Sequence, residues 1–415
     1  MQVELAYGRG ILPVELPDDT RVILPRHHDA LPDEKQSFLE SLANPISSSP
    51  LRERIKPSDE VCILFTDNTR ATPNHRIIPW LLEHLADHPR ENIFLLNQLG
   101  THRANTREEL AEMLTPEILD QYEVLNHDCH DEANLVQIGE TRDGTPALLN
   151  RRAHEADLRI VTGFIEPHFF AGFSGGPKGL VPGVAGLRTV MSNHGSAHIS
   201  DPNATFGITH GNPLWEELLR LAKLAGPSFL INVTLNEDRE LTNVFSGDLE
   251  EAHRQGCQSV KASAMQQVDE PFDVVITTNS GYPLDRNLYQ GVKGMSAAAR
   301  IVKNGGVIIL ACECLDGVPA DSPFDQLLRE ADSPEEILTL LANANTPRAE
   351  QWQAQIQALI QRKARILVHS DLPEETLRAC HLQSCPDISQ AVANEMNSAR
   401  VAVLPQGPLT IPYLG

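Results

Sequence analysis

One histidine and one lysine lie inside a glycine-crowded stretch, Ile165-Glu166-Pro167-His168-Phe169-Phe170-Ala171-Gly172-Phe173-Ser174-Gly175-Gly176-Pro177-Lys178-Gly179-Leu180-Val181-Pro182-Gly183. Glycine allows a backbone to approach a ligand and turn its N–H groups toward an anion such as phosphate, which makes Ser174, Gly175 and Gly176 candidates for that work. A lysine beside such a loop is either a phosphate contact or, with its charge suppressed, a nucleophile. The plain alternative is an ordinary Gly/Pro loop carrying an exposed lysine. Three further clusters carry reactive side chains: Asp67-Asn68-Thr69-Arg70, Gly100-Thr101-His102-Arg103 and Tyr289-Gln290-Gly291-Val292-Lys293-Gly294. Each also has a bland reading: Arg70 as a surface ion-pair partner, His102 as a helix cap, Asp67 as an Asx-turn residue. His27, His28, His75, His127 and His130 read as surface or loop residues.

Short apolar runs precede these clusters, at residues 61–65, 92–96, 158–164 and 272–276. They read as buried strands, and in open α/β sheets ligands bind outside the carboxyl ends of the strands. Thr106-Arg107-Glu108-Glu109 fits a capping box, so a helix starts just after His102 and stops before Pro116. A helix end so close to His102 favours its neutral imidazole. A second strand–helix alternation begins near Phe272, with strands at 274–278, 306–311, 366–369 and 401–405. The helix over 349–365 carries Trp352, Ile356, Leu359 and Ile360 at core-facing spacing. The expected architecture is α/β, with two α/β domains of mainly parallel sheets, residues 1–268 and 269–415, and an active site in the interdomain cleft. The last residues, 408–413, are expected to pack back on the first domain.

The 415 residues suit two domains, and a formal charge of −22 argues against nucleic acid or anionic membranes as partners. The cations of an anion site must therefore be concentrated locally. Seven cysteines without CxxC spacing suggest reduced thiols rather than a disulfide framework or zinc knuckle. The start of the chain has no signal-peptide pattern and no run approaches membrane-spanning length, so a cytoplasmic location is expected.

The clusters Asp67-Asn68-Thr69-Arg70, Gly100-Thr101-His102-Arg103, His168 to Lys178, Ser192-Asn193-His194 and Tyr289 to Gly294, in that order, resemble the lactate racemase family, which uses a nickel-pincer nucleotide. The resemblance implies racemisation or epimerisation of a 2-hydroxy acid by hydride transfer through a 2-keto acid. It implies His102 and His168 as bases, Lys178 as the covalent tether of the cofactor and His194 as the nickel ligand, with nearby His198 and His210 competing for that last place. Arg70, Gln290, Lys293 and Tyr289 would bind substrate, with Trp352 in that role by resemblance alone. Asp67 would hold a ribose hydroxyl or orient Arg70. Enzymes that build and load the cofactor are implied as partners. The scheme is chemically sound, because hydride removal avoids a carbanion beside a carboxylate, and histidine titrates near working pH. One imidazole cannot hold nickel alone, so metal binding presupposes the organic group. Alternatives are an NAD(P)-dependent 2-hydroxy acid dehydrogenase, for which no strand-linked GxGxxG is present, and a non-catalytic nickel- or small-molecule-binding homologue. A three-histidine zinc hydrolase lacks paired spacing. The choice of hydroxy acid and the oligomeric state are not legible.

Overall fold

The computed structural model describes residues 1–26, 28–236, 238–320, 322–344, 347–395 and 399–415; His27 lies outside them. The chain divides into two compact units. One holds His27–His194 and Asn203–Ala262, the other Met1–Arg26, Gly195–Pro202 and Ser263–Gly415.

The first unit is built on a six-stranded sheet ordered Leu241–Gly247, Ser228–Leu235, Leu158–Phe164, Val61–Thr66, Ile93–Gln98, Glu123–Asn126. All neighbours are parallel except Leu241–Gly247, which returns antiparallel on Ser228–Leu235. Val61 to Phe65 are wholly buried, which is why they read as an unbroken apolar run rather than an alternation. The helices Glu34–Ala43, Asn74–His84 and Arg107–Leu114 bring Phe38, Leu42, Ile77, Ile78, Leu81, Leu110 and Leu114 against this sheet.

The second unit has an all-parallel six-stranded sheet ordered Gln383–Ser384, Arg365–His369, Val302–Ala311, Phe272–Thr278, Val401–Leu404, Arg21–Val22. The α/β architecture with mainly parallel sheets is therefore as expected, but the units do not divide at residue 268. The first 26 residues belong to the C-terminal unit because Arg21–Val22 adds an edge strand beside Val401–Leu404. The hairpin Gln2–Tyr7/Gly10–Glu15 also drives Val3, Leu5, Val14 and Leu16 into that unit's core. An alternating hairpin shows that it has a face to bury but not which sheet will bury it. Ile411–Leu414 pairs in parallel with Met265–Val268, inside the second unit. No helix among the described residues is long and apolar enough to cross a membrane.

Candidate active site

In the larger unit, the chain moves from Val61–Thr66 outward to Ile93–Gln98 and Glu123–Asn126 on one side. Leu158–Phe164 and Ser228–Leu235 lie on the other. The strand order therefore reverses between Val61–Thr66 and Leu158–Phe164, and such a switch point opens a crevice at the carboxyl ends of the strands. Asp67 and Arg70 follow the first of these strands, His168 and Lys178 follow the second, and His102 follows Ile93–Gln98.

His102 is fixed by a carboxylate. Its Nδ1 lies 2.7 Å from Asp67 Oδ2, and Asp67 is almost fully buried. Burial opposes ionisation of Asp67 most strongly. The hydrogen bond and charge of His102, the charge of Arg70 and the Thr69 hydroxyl together outweigh it and hold the carboxyl below its ordinary value. Thr69 Oγ1 donates to Asp67 Oδ1 at 2.9 Å. An ionised carboxylate only accepts, so His102 Nδ1 must donate and the lone pair of the neutral ring falls on Nε2. The helix Arg107–Leu114 is capped by Thr106 with the expected capping box and ends before Pro116. His102 is not its cap, and its polar partner is Asp67 rather than the helix end. The side chain is 44 % exposed, leaving its outer edge accessible. An amide cluster pins the loop: Asn97 Nδ2 donates to Asn105 Oδ1 at 2.8 Å and to Asn126 Oδ1 at 3.0 Å.

His168 is held differently. Its Nδ1 accepts from the backbone N–H of Ala171 at 3.2 Å and of Phe170 at 3.5 Å. The neutral ring in this setting carries its proton on Nε2, the reverse of His102. Phe170 then gathers three candidate residues. His168 stands edge-on to its ring at 4.4 Å, His194 does so at 5.1 Å, and Lys178 Nζ is 5.6 Å from its centroid. His194 is buried and caps the carboxyl end of the helix Leu187–Asn193.

Lys178 sits in the single turn Gly176–Gly179. Burial first, and the nearby charge of Arg70 second, push its ammonium down to about 7. Among the described residues no carboxylate forms an ion pair with Lys178 or Arg70, although the chain carries 56 acidic residues against 34 basic ones. Two cations in no direct ion pair among the described residues, beside a histidine–aspartate pair, make a place for an anionic ligand.

Part of the glycine loop is tied to its own protein. Gly176 N donates to Asn232 Oδ1 at 2.7 Å and Ser174 N to Glu166 O at 2.9 Å, so these groups are not turned toward an anion. Ser174 Oγ donates to Phe164 O and accepts from Glu166 N. Gly175 and Gly176 take positive φ, and a Cβ on them would strike Asn232 and His253. Glycine is needed here for close approach of the loop to its own protein. Asn232 and His253 are the residues that sequence reasoning missed. His253 is fully buried, its Nε2 lies 2.8 Å from Ser174 O, and burial above all pushes it down to about 4. Asn232 did leave a signal, as an amide inside the apolar strand Ser228–Leu235, and such a residue has a buried partner. His127, expected at the surface, is buried with Nε2 3.0 Å from Ala185 O; His75 and His130 are exposed.

Tyr289, Gln290 and Lys293 lie in the second unit on the helix Leu288–Ala299, which Asn287 caps through the Gln290 N–H at 3.0 Å. Trp352, on the helix Gln351–Lys363, is mostly buried and donates from Nε1 to Tyr289 Oη at 3.2 Å. The structure thus joins Trp352 to Tyr289 and agrees with the core-facing spacing of its helix.

A family model described as the lactate racemase N-terminal domain matches residues 7–207, and one described as the lactate racemase C-terminal domain matches 267–411. The lactate racemase of Lactiplantibacillus plantarum is 36% identical over 421 residues, covering 98% of each chain. That of Thermoanaerobacterium thermosaccharolyticum is 32% identical over 417 residues, 98% of this chain and 97% of the other. The solved lactate racemase apoprotein from T. thermosaccharolyticum superimposes with a TM-score of 0.94 at 31% identity, over 99% of this chain and 100% of that one. A Thermotoga maritima protein shares the fold at a TM-score of 0.70 and 19% identity.

Proposed function

The chain belongs to the lactate racemase family, and from that premise we propose that it inverts the C2 centre of a 2-hydroxy acid through a planar 2-keto acid. It is an isomerase of the racemase type. The observation that carries the finer reading is the His102–Asp67 pair, with Arg70 and Lys178 close enough for their charges to bear on it and on each other.

Arg70 offers the substrate carboxylate a planar, two-pronged partner. His102 Nε2, with its lone pair fixed by Asp67, takes the hydroxyl proton as C2 loses its hydrogen. His168 presents Nε2–H to the keto oxygen when the hydrogen returns to the other face. To act as a base in the opposite direction His168 must carry its proton on Nδ1, which means releasing two long, weak backbone contacts. Tyr289, Gln290, Lys293 and Trp352 are assigned to the substrate by the family resemblance. Lactate is the natural first compound to test, since it is the substrate named for both relatives.

The residues present fit the cofactor of the family. Lys178 has a desolvated amine that is substantially uncharged near neutral pH, as an acylated tether requires. Among the described residues no group of three or more His, Cys, Asp or Glu is placed to hold a metal ion. Nickel would take imidazole from His194, with its other ligands coming from the organic group. When bound, the nickel-pincer nucleotide supplies the hydride acceptor and donor. Protein co-expressed with the enzymes that build the cofactor should interconvert the lactate enantiomers and retain deuterium placed at C2. Complete exchange of that deuterium with solvent would reject the hydride route.

A further inference from the structure

We propose that Lys178 and Arg70 form a condensation site for 2-oxo acids, at which the cofactor-free chain binds such an acid reversibly as an imine on Lys178 Nζ. The proposal rests on the reading of Arg70 as the partner of a substrate carboxylate, and goes beyond it.

The lysines of this chain are not alike. Lys35, Lys223 and Lys303 each hold a carboxylate oxygen within 2.7 Å. Lys56 and Lys261 are exposed, and Lys363 donates to Ala299 O at 2.6 Å. Lys178 is only partly exposed, lies over the Phe170 ring and pairs with no carboxylate among the described residues. Arg70 follows the strand next to the one that leads to Lys178, and its like charge adds to burial in lowering the ammonium. That arrangement suppresses the ammonium and keeps a cation ready for the carboxylate of an incoming acid.

The chemistry needs no further reagent. The Nζ lone pair attacks C2 of the oxo acid, and the carbonyl electrons move to oxygen, which is protonated. The carbinolamine then loses that oxygen as water while Nζ gives up its second proton, leaving C=N. Nothing is oxidised or reduced. Since a tethered cofactor occupies the same amine, a bound 2-oxo acid should also slow covalent loading.

The test uses the full chain made without the cofactor-building enzymes, incubated at pH 7.5 with pyruvate and sodium cyanoborohydride, then mapped by peptide mass spectrometry. A fall from the ordinary 10.5 to about 7 raises the free-amine fraction at this pH on the order of 10²–10³-fold, partly offset by lower nucleophilicity. One reduced adduct is expected, at Lys178, formed at least about tenfold faster than at any other lysine. Lys178→Arg should abolish it. Arg70→Gln should slow trapping of pyruvate about tenfold more than trapping of propionaldehyde, which has no carboxylate and loses only the effect of the like charge on the amine. Labelling spread over surface lysines, or an Arg70→Gln chain that still prefers pyruvate, would overturn the proposal. Calorimetry of pyruvate with Lys178→Arg separates the two readings. Saturable binding there, with no adduct in the wild type, removes the imine and leaves the carboxylate site standing. Absence of both removes the two together.

Discussion

His102 and His168 follow the two neighbours of the strand Val61–Thr66, yet their surroundings prepare them for opposite work. His102 Nδ1 faces a buried carboxylate at 2.7 Å, whereas His168 Nδ1 faces backbone N–H groups at 3.2 and 3.5 Å. An acceptor as partner forces Nδ1 to donate; a donor as partner forces it to accept. One ring therefore offers a lone pair at Nε2 and the other a proton. The bonds also differ in strength, one short and charge-assisted, the others long and neutral. Histidine type at a strand end tells that proton transfer is available; the partner of the inner nitrogen decides its direction.

The largest effect should come from the firmly held ring. His102→Gln should lower kcat/KM of the loaded enzyme by roughly 10²–10⁴, the usual contribution of a general base. Unchanged nickel content and cofactor mass would show that loading is intact. A variant that kept wild-type turnover would break the contrast at its stronger side. Asp67→Asn should cost about 10–100-fold, as removal of a histidine-orienting carboxylate does elsewhere, and should alter the pH–rate profile. The same substitution tests stability in acid. Asp67 titrates below 3.8 in the folded chain, so its contribution is present above that value and lost as pH falls through the folded value. The variant should therefore lose less stability than the wild type on acidification.

How far all this could be read from sequence depends on the range of the contacts. The parallel strands are legible because residues 61–65 and 158–163 are buried and written as mostly apolar runs. The Thr106 capping box was legible because all of its parts lie within four residues. The Asp67–His102 bond spans 35 positions and Gly176–Asn232 spans 56, and neither leaves a local pattern. For that reason the sequence leaves Asp67 between Arg70 and a ribose hydroxyl, and shows no tie between the glycines and Asn232 or His253. The edge strand Arg21–Val22 escaped for the same reason, its partner lying near the opposite end of the chain.

Smaller effects sharpen the contrast from the lysine side. Lys178 is lowered in the folded chain from 10.5 to about 7, so the unfolded chain binds the extra proton between those values and stability rises with pH across that window. Lys178→Met should accordingly be more thermostable than the cofactor-free wild type at pH 7, by about 2–4 °C for each kcal/mol relieved. The gap should narrow toward pH 10 in a calorimetric scan; a gap independent of pH would show that the amine is not desolvated. Asn232→Ala strips the Gly176 N–H of its buried partner and should cost about 1–3 kcal/mol in denaturant unfolding. It should weaken covalent loading at Lys178 more than it disturbs the His102–Asp67 pair.

The most direct measurement is the tautomer of each ring. Nitrogen-15 NMR of the cofactor-free chain, labelled at histidine and assigned with His102→Gln and His168→Gln, reports which nitrogen carries the proton. The account predicts Nδ1–H at His102, lost in Asp67→Asn, and Nε2–H at His168, unaffected by that substitution. The same tautomer on both rings, or a His102 indifferent to Asp67, would contradict it.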